Sequence, residues 1–201
     1  MDLFTLKIIG KEIVLRLLTK DDAPLYLDYL QRNEEFHRPF VPLRPSDYIT
    51  MATAEAFTDQ KQMVDADQQY TFGIFTAEED QIIGKVTLSG ITRAVFQNGY
   101  ISYDIDRECT NRGNVTEAVQ MVVKFGLSAL SLHRIQASIM PRNLASQRVV
   151  EKSGFVREGY CEQYLKIQGV WEDHYIYAIT QERYDRLPSF MRNSGVVKWE
   201  A

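Results

Sequence analysis

Residues 103–119 constrain the fold of this chain more than any other stretch. Tyr103 and Ile105 alternate with Asp104 and Asp106, the period-two pattern of a strand with one buried face. From Val115 onward the apolar residues fall at Val115, Ala118, Val119, Val122, Gly126, Ala129 and Leu130, which is helical spacing. Between the two lies a short polar turn, Thr110, Asn111, Arg112, Gly113 and Asn114. A strand, a tight turn and a helix start leave backbone N–H groups and partial positive charge at one point, which suits a phosphate or pyrophosphate. Arg112 then either pairs with that phosphate or is a solvated loop charge. The structural alternative is a capping box, with Asn114 and Glu117 satisfying the first turn without a ligand.

Bulk properties narrow the class. At 201 residues the chain is long enough for a sizeable core, and it reads as a single domain over 1–201, with a motif-bearing core at 13–180 and a short tail at 181–201. A net charge of −4 argues against bulk nucleic-acid or anionic-membrane binding. Cys109 and Cys161 are too few for a disulfide framework, and no Cys/His cluster has metal-ligand spacing, so no metal is expected. The first residues lack a signal-peptide pattern and no stretch has the length of a membrane span. A cytoplasmic location follows as the expectation. The oligomeric state is left between monomer and homodimer.

Along the chain, a hairpin about Gly10–Glu12 leads into a strand at Ile13–Leu17. A helix starts at Thr19–Asp22, accepts Pro24 in its first turn, and carries Ala23, Leu25, Tyr26, Tyr29 and Leu30. Phe36 to Pro45, with three prolines, is expected to be irregular. A second helix is predicted from Ser46 or Asp47 to about Asp67. Strands are predicted at Tyr70–Phe75, Ile82–Leu88 and Tyr100–Ile105, with Asn98-Gly99 as a turn. Arg134–Ile139 reads as a strand parallel to Tyr100–Ile105, because a helix separates them. Asn143–Lys152 reads as a short helix closed by Ser153-Gly154. Phe155–Leu165 and Val170–Ile179 form a hairpin about Gln168-Gly169. The tail yields no firm element. The fold class is α+β: a mixed, mostly antiparallel sheet with helices on both faces.

A second stretch, residues 141–159, adds Asn143 and Ser146, the run Glu151 to Phe155, and Glu158-Gly159. Together with Tyr103, Asp106, Gly113 and Thr116 to Ala118, and with Gly169, Trp171, Asp173 and Tyr177, it resembles the Gcn5-related N-acetyltransferase superfamily, and more narrowly its ribosomal-protein N-terminal acetyltransferase branch. The segments Asn33–Phe36 and Arg38–Pro42 are similar to that branch's substrate side. The resemblance covers roughly Ile13 to Thr180. It implies a sheet splayed open between Tyr100–Ile105 and Arg134–Ile139, acetyl-CoA as co-substrate with its pantetheine arm in the splay, and its pyrophosphate on the amides of Asn111 to Val115. Cofactor contacts are thereby implied for Tyr103, Ile105, Asn111, Arg112, Gly113, Asn114, Val115, Thr116, Asn143 and Ser146. The loop departs from the usual pattern at Thr110, Asn111, Asn114 and Val115, although Asn tolerates positive φ better than most residues.

Acetyl transfer requires a neutral amine, a stabilised oxyanion and a protonated or stabilised leaving thiolate. By resemblance, Tyr103 or Asp104 supplies a backbone N–H to the oxyanion. The tyrosine that often serves the thiolate is replaced by Val150, and Ser146 takes its place in the narrower branch, unless it is an ordinary helix residue. Asn143 is a helix cap, a pantetheine partner, or both. The usual glutamates are replaced by Tyr100 and Leu165, which leaves Asp104, Glu158 and His37 as candidate bases. No histidine is positioned to activate Cys109, so direct attack on the thioester is expected. Phe36 and Phe40 are expected beside the acceptor, a protein N-terminus or a small-molecule amine. A non-catalytic acyl-CoA-binding module is the alternative from another class.

Overall fold

The computed structural model describes residues 2–192 and 195–199. Nine strands form one mixed sheet: β1 (Leu6–Ile9), β2 (Ile13–Leu17), β3 (Gln69–Thr76), β4 (Ile82–Thr92), β5 (Asn98–Ile105), β6 (Arg134–Ile139), β7 (Val156–Ile167), β8 (Val170–Thr180) and β9 (Val196–Trp199). The α-helices are α1 (Ala23–His37), α2 (Tyr48–Asp65), α3 (Asn114–Lys124), α4 (Leu144–Lys152), α5 (Gln181–Asp185) and α6 (Ser189–Arg192). The strand order is β7-β8-β6-β5-β4-β3-β2-β1-β9. Neighbours are antiparallel except β5 and β6, which run parallel, as the intervening helix requires.

Alternation along the strands decides the layers. Ile13, Leu15 and Leu17 of β2 and Tyr70, Phe72 and Ile74 of β3 join the larger core, where α3 inserts Ala118, Val119 and Val122. Val14, Leu18 and Phe75 turn to the other face and meet Tyr26, Tyr29 and Leu30 of α1. The entry to α1 is fixed by charge as well as by apolar burial. Asp22 takes both arms of the Arg16 guanidinium, at 2.7 and 2.6 Å, and the Thr19 N–H at 2.8 Å. Arg16 in turn lies over the Phe75 ring, 3.9 Å from its centroid.

Four expectations need correction. Asn98-Gly99 opens β5 and is not the turn, which lies just before it, where Ala94 and Gln97 take φ of 56° and 42°. Gly99 packs closely there: an added Cβ would come within 2.9 Å of the Ile91 side chain and 3.2 Å of the Leu132 side chain. Phe36 and His37 are helical, because α1 runs on to His37 before a single 3-10 turn at Arg38–Phe40. The second helix is shorter than expected, Tyr48–Asp65. The helix after the polar turn ends its regular part at Lys124 and closes in a wider turn, with the Leu130 N–H donating to the Phe125 carbonyl at 3.1 Å. The tail, for which no element was predicted, supplies α5, α6 and the edge strand β9.

β5 and β6 pair only between Asn98–Tyr100 and Arg134–Gln136. Each then remains paired to its outer neighbour, β5 to β4 and β6 to β8. The sheet therefore opens from Ile101 onward.

Burial alone would raise the Asp22 carboxyl, but Arg16 and the Thr19 N–H hold it below the usual aspartate range. A depressed native pKa gives stability that is complete above the unfolded value, about 4, and is lost as pH falls through the native one. Asp22→Ala should cost about 3 kcal/mol in denaturant unfolding at pH 7. The gap to the parent should narrow as pH falls below about 4. An unchanged gap across that range would mean that the ion pair contributes nothing.

Candidate active site

The opened sheet exposes one side of β5. The Asp106 N–H donates to the Ile83 carbonyl on β4 (2.7 Å), while the Gln97 carbonyl accepts from His133 and Arg134, the latter opening β6 (2.8 and 3.1 Å). Between these two points strand alternation turns the N–H and C=O groups of Tyr103 and Ile105 toward the opening, and those of Ser102 and Asp104 toward β4. This corrects one expectation: the Asp104 amide is directed at β4, and Tyr103 is the residue whose amide faces the opening. On β6 the same alternation directs the Ser138 backbone into the gap.

The side chains of β5 divide between the faces. The Tyr103 hydroxyl donates to the Ser146 carbonyl in the first turn of α4 (2.8 Å), and Tyr103 and Ile105 pack on the larger core. Asp104 points to α1, forms an ion pair with Lys85 at 2.9 Å and accepts from the Tyr29 hydroxyl at 2.5 Å. Burial would raise its carboxyl, yet the Lys85 ammonium and the Tyr29 hydroxyl hold it below the usual range. Burial and the adjacent Asp104 push the Tyr29 phenol well up. Asp104 is thus stabilised as an anion, which makes its carboxylate a weak proton acceptor. Glu158, another candidate base, is ion-paired with Arg134 on the edge strand β7, with β8 and β6 between it and the opening. His37 is different. Its Nε2 lies 2.9 Å from the Ile105 carbonyl, which can only accept, so Nε2 carries the proton and Nδ1 is the nitrogen left to take one.

The turn after β5 is held from α1. Asp106 is only 4 % exposed and accepts from Arg32 Nε (2.5 Å), Asn33 Nδ2 (3.0 Å) and the Glu108 N–H (2.9 Å). The Arg107 N–H donates to Asn33 Oδ1 at 2.9 Å. Asn111 and Gly113 take φ of 60° and 88°. Gly113 is the residue before α3, and Asn114 is already helical. Glu117 reaches instead to the Lys11 N–H of the first hairpin (3.0 Å). The capping box is therefore not formed. Asn114, Val115 and Thr116 precede the first helical bond, from the Glu117 N–H to the Gly113 carbonyl (3.0 Å). In front of them opens a cleft of about 620 Å³, lined among others by Arg112, Gly113, Asn114, Thr116, Lys11 and Lys152. Helix-end amides beside three cations match the chemistry of a phosphate-bearing ligand. Burial pushes the Cys109 thiol up, which disfavours the thiolate that a nucleophile needs.

On the other side of the opening, Asn143 caps α4, its Oδ1 accepting the Ser146 N–H at 3.1 Å. Ser146 is half-buried, and Val150, one turn on, is fully buried in the core. The segment after α1 is strapped across the opening. Arg142 donates to the Pro39 carbonyl (2.9 Å) and to Glu172 (2.8 Å), with its guanidinium 5.5 Å from the Phe40 ring centre. Gln168 at the tip of the β7–β8 hairpin donates to the Val41 carbonyl at 3.0 Å. Phe36 is half-buried, its ring 5.3 Å from that of His37. His37 thus meets β5 at Ile105, Ser146 meets it at Tyr103, and Phe40 lies beside Arg142. The polar roles of Arg32, Lys85 and Tyr29 behind β5 were missed by sequence reasoning, which placed Tyr29 only on the aromatic face of the first helix. Among the described residues no group of three His, Cys, Asp or Glu side chains could hold a metal ion.

Asp104→Ala should leave Lys85 buried without its partner and lower stability by about 3 kcal/mol in denaturant unfolding. A variant as stable as the parent but without activity would contradict the scaffold role and restore Asp104 as a base.

Comparison with known proteins agrees with this geometry. Residues 12–156 match the model of the Acetyltransferase (GNAT) domain. The chain is 42% identical over 171 residues to a probable N-acetyltransferase, YjcK, of Bacillus subtilis, covering 85% of this chain and 94% of that protein. It is 30% identical over 169 residues to the ribosomal protein uS5-alanine N-acetyltransferase of Escherichia coli, covering 84% of this chain and 87% of that one. The crystal structure of the ribosomal-protein-S5-alanine acetyltransferase of Vibrio fischeri superimposes with a TM-score of 0.83 at 30% identity, covering 90% of this chain and 99% of that one. The chain belongs to the GNAT acetyltransferase family and is an acetyl-CoA-dependent N-acetyltransferase, related to the ribosomal-protein acetyltransferases.

Proposed function

We propose that this N-acetyltransferase acetylates the terminal amine of a protein, with acetyl-CoA held in the splay between β5 and β6. The observation that carries the donor half of the reading is the backbone edge of Tyr103 and Ile105, turned into the gap beside the uncapped start of α3. A pantetheine arm has two amides, and such an edge offers them the Ile105 N–H and the Tyr103 carbonyl, which a neighbouring strand would otherwise satisfy. The amides at 111–116 and Arg112 would hold the pyrophosphate.

Acetyl-CoA supplies an acetyl group activated as a thioester. The Tyr103 N–H faces the gap and serves the carbonyl oxygen as negative charge grows on it. His37, with Nε2–H fixed on the Ile105 carbonyl, takes the proton of the attacking amine on Nδ1. The Ser146 hydroxyl stabilises the departing sulfur, since Val150 has nothing to donate. Asn143 and Tyr103 hold Ser146 by its backbone at both ends.

A protein acceptor is favoured by the rim. The β7–β8 hairpin exposes Tyr164, Leu165, Val170 and Trp171, and an apolar platform of this kind fits a chain rather than a small polyamine. The strap and its neighbours mix Arg38, Arg44 and Arg142 with Glu34 and Glu172, not the single-sign charge that a polycation would select. The uS5-specific relative acts on a ribosomal protein, which is consistent with such an acceptor.

Acetyl-CoA at a hundredfold excess over its dissociation constant should raise unfolding stability by about 2.7 kcal/mol. Gly113→Val should remove most of that gain, since φ of 88° is unsuited to a β-branched residue. No stabilisation of the folded parent would refute the donor site. His37→Ala and Ser146→Ala should each lower kcat about a hundredfold while acetyl-CoA still binds. Phe40→Ala should raise KM for the acceptor alone. In an acceptor panel, peptides with free N-termini should outpace spermidine and amino sugars. The reverse order would overturn the protein-acceptor reading.

A further inference from the structure

The C-terminal tail crosses the molecule. The chain leaves β8, one strand in from an edge, and returns as β9 beside β1 at the opposite edge. Its path lies over the face that carries α3 and α4. Leu187 is seated on Gly154 at the end of α4, where an added Cβ would come within 2.5 Å of the leucine side chain. Gly195, at φ of 73°, leaves only 2.8 Å from an added Cβ to Ile8 and 3.0 Å to Met121 of α3. Between these anchors α6 is fixed by the Tyr184 hydroxyl on the Arg192 carbonyl (3.1 Å) and by Arg192 Nε on the Leu187 carbonyl (3.0 Å).

A tail anchored at both ends nevertheless leaves Phe190 77% exposed. Its ring lines the same cleft that opens in front of the α3 N-terminus, together with Lys11, Arg112 and Lys152. Two carboxylates also line that cleft, but Glu117 is committed to the Lys11 N–H, and Glu12 is the neighbour of Lys11 on the hairpin. An aromatic face among cations, continuous with a phosphate-binding turn, suits a ligand that joins a planar base to phosphates.

We propose that the tail builds the adenosine end of the co-substrate site, with Phe190 as the stacking face for adenine and Lys11 and Lys152 beside its 3′-phosphate. The proposal rests on the acetyl-CoA reading given above. It assigns a binding role to a segment outside residues 12–156, which the family model spans.

Calorimetric titration with two thioesters tests it: acetyl-CoA, and S-acetyl-4′-phosphopantetheine, which lacks the adenosine. Phe190→Ala should weaken acetyl-CoA binding about tenfold, as loss of one base–aromatic stack does. It should leave the truncated thioester within about twofold of the parent. Phe190→Trp should restore most of the acetyl-CoA affinity, and both variants should melt close to the parent because the ring is exposed. Unchanged acetyl-CoA affinity in Phe190→Ala, or an equal loss for both thioesters, would overturn the proposal while leaving the donor site intact. A parent that binds neither thioester would instead overturn the donor site, and the adenosine subsite with it.

Discussion

The backbone edge left unpaired between β5 and β6 is the constraint on which the rest of the structure depends. In a continuous sheet the backbone groups of Tyr103, Ile105 and Ser138 would face a neighbour; His37 answers the Ile105 carbonyl, and leaving the others open costs free energy unless something else answers them. The divergence persists because each strand is held from outside. Asp104 ties β5 to Lys85 of β4 and Tyr29 of α1. Asp106 ties the following turn to Arg32 and Asn33. β6 is paired along its whole length with β8. Closing the gap would break one of these sets.

The polar network behind β5 therefore has a mechanical purpose. Ionisable groups buried beneath a sheet are weak evidence for stability in themselves, and their value here lies in setting a position. Asn33 reaches the Arg107 N–H, so the last turns of α1 determine where the phosphate loop begins. A few residues later on the same helix, His37 meets the Ile105 carbonyl. One helix thus aligns the donor loop, the acceptor-side histidine and the open strand edge. The Arg142 and Gln168 contacts extend this frame to the strap after α1.

Much of this was legible in the sequence, for local reasons. Gln168 and Gly169 take φ of 46° and 83°, as a two-residue hairpin between alternating strands demands. The parallel pairing of β5 and β6 followed from the helix between them. Asn143 was read as a cap and is one. The errors also have local causes. Asn98-Gly99 has turn composition, but it lies in β5, with Gly99 packed against Ile91 and Leu132. Asn114 has a capping side chain, yet Gly113 takes the left-handed conformation and the helix begins one residue early. The α1 network was invisible because its partners are far apart in sequence: Arg32 and Asp106 are separated by 74 residues. β9 is only four residues long, too short for periodicity to distinguish it.

Residue-resolved amide exchange by NMR, with and without CoA, tests the open-edge account most directly. In the free protein the Tyr103 and Ile105 amides should exchange quickly, and those of Ser102 and Asp104, directed at β4, should already be protected. CoA should protect Tyr103 and Ile105, along with Asn114 to Thr116, and leave Ser102 and Asp104 nearly unchanged. Slow exchange at Tyr103 and Ile105 before CoA is added, or protection that rises equally at all four residues of the strand, would contradict an open edge that awaits its ligand.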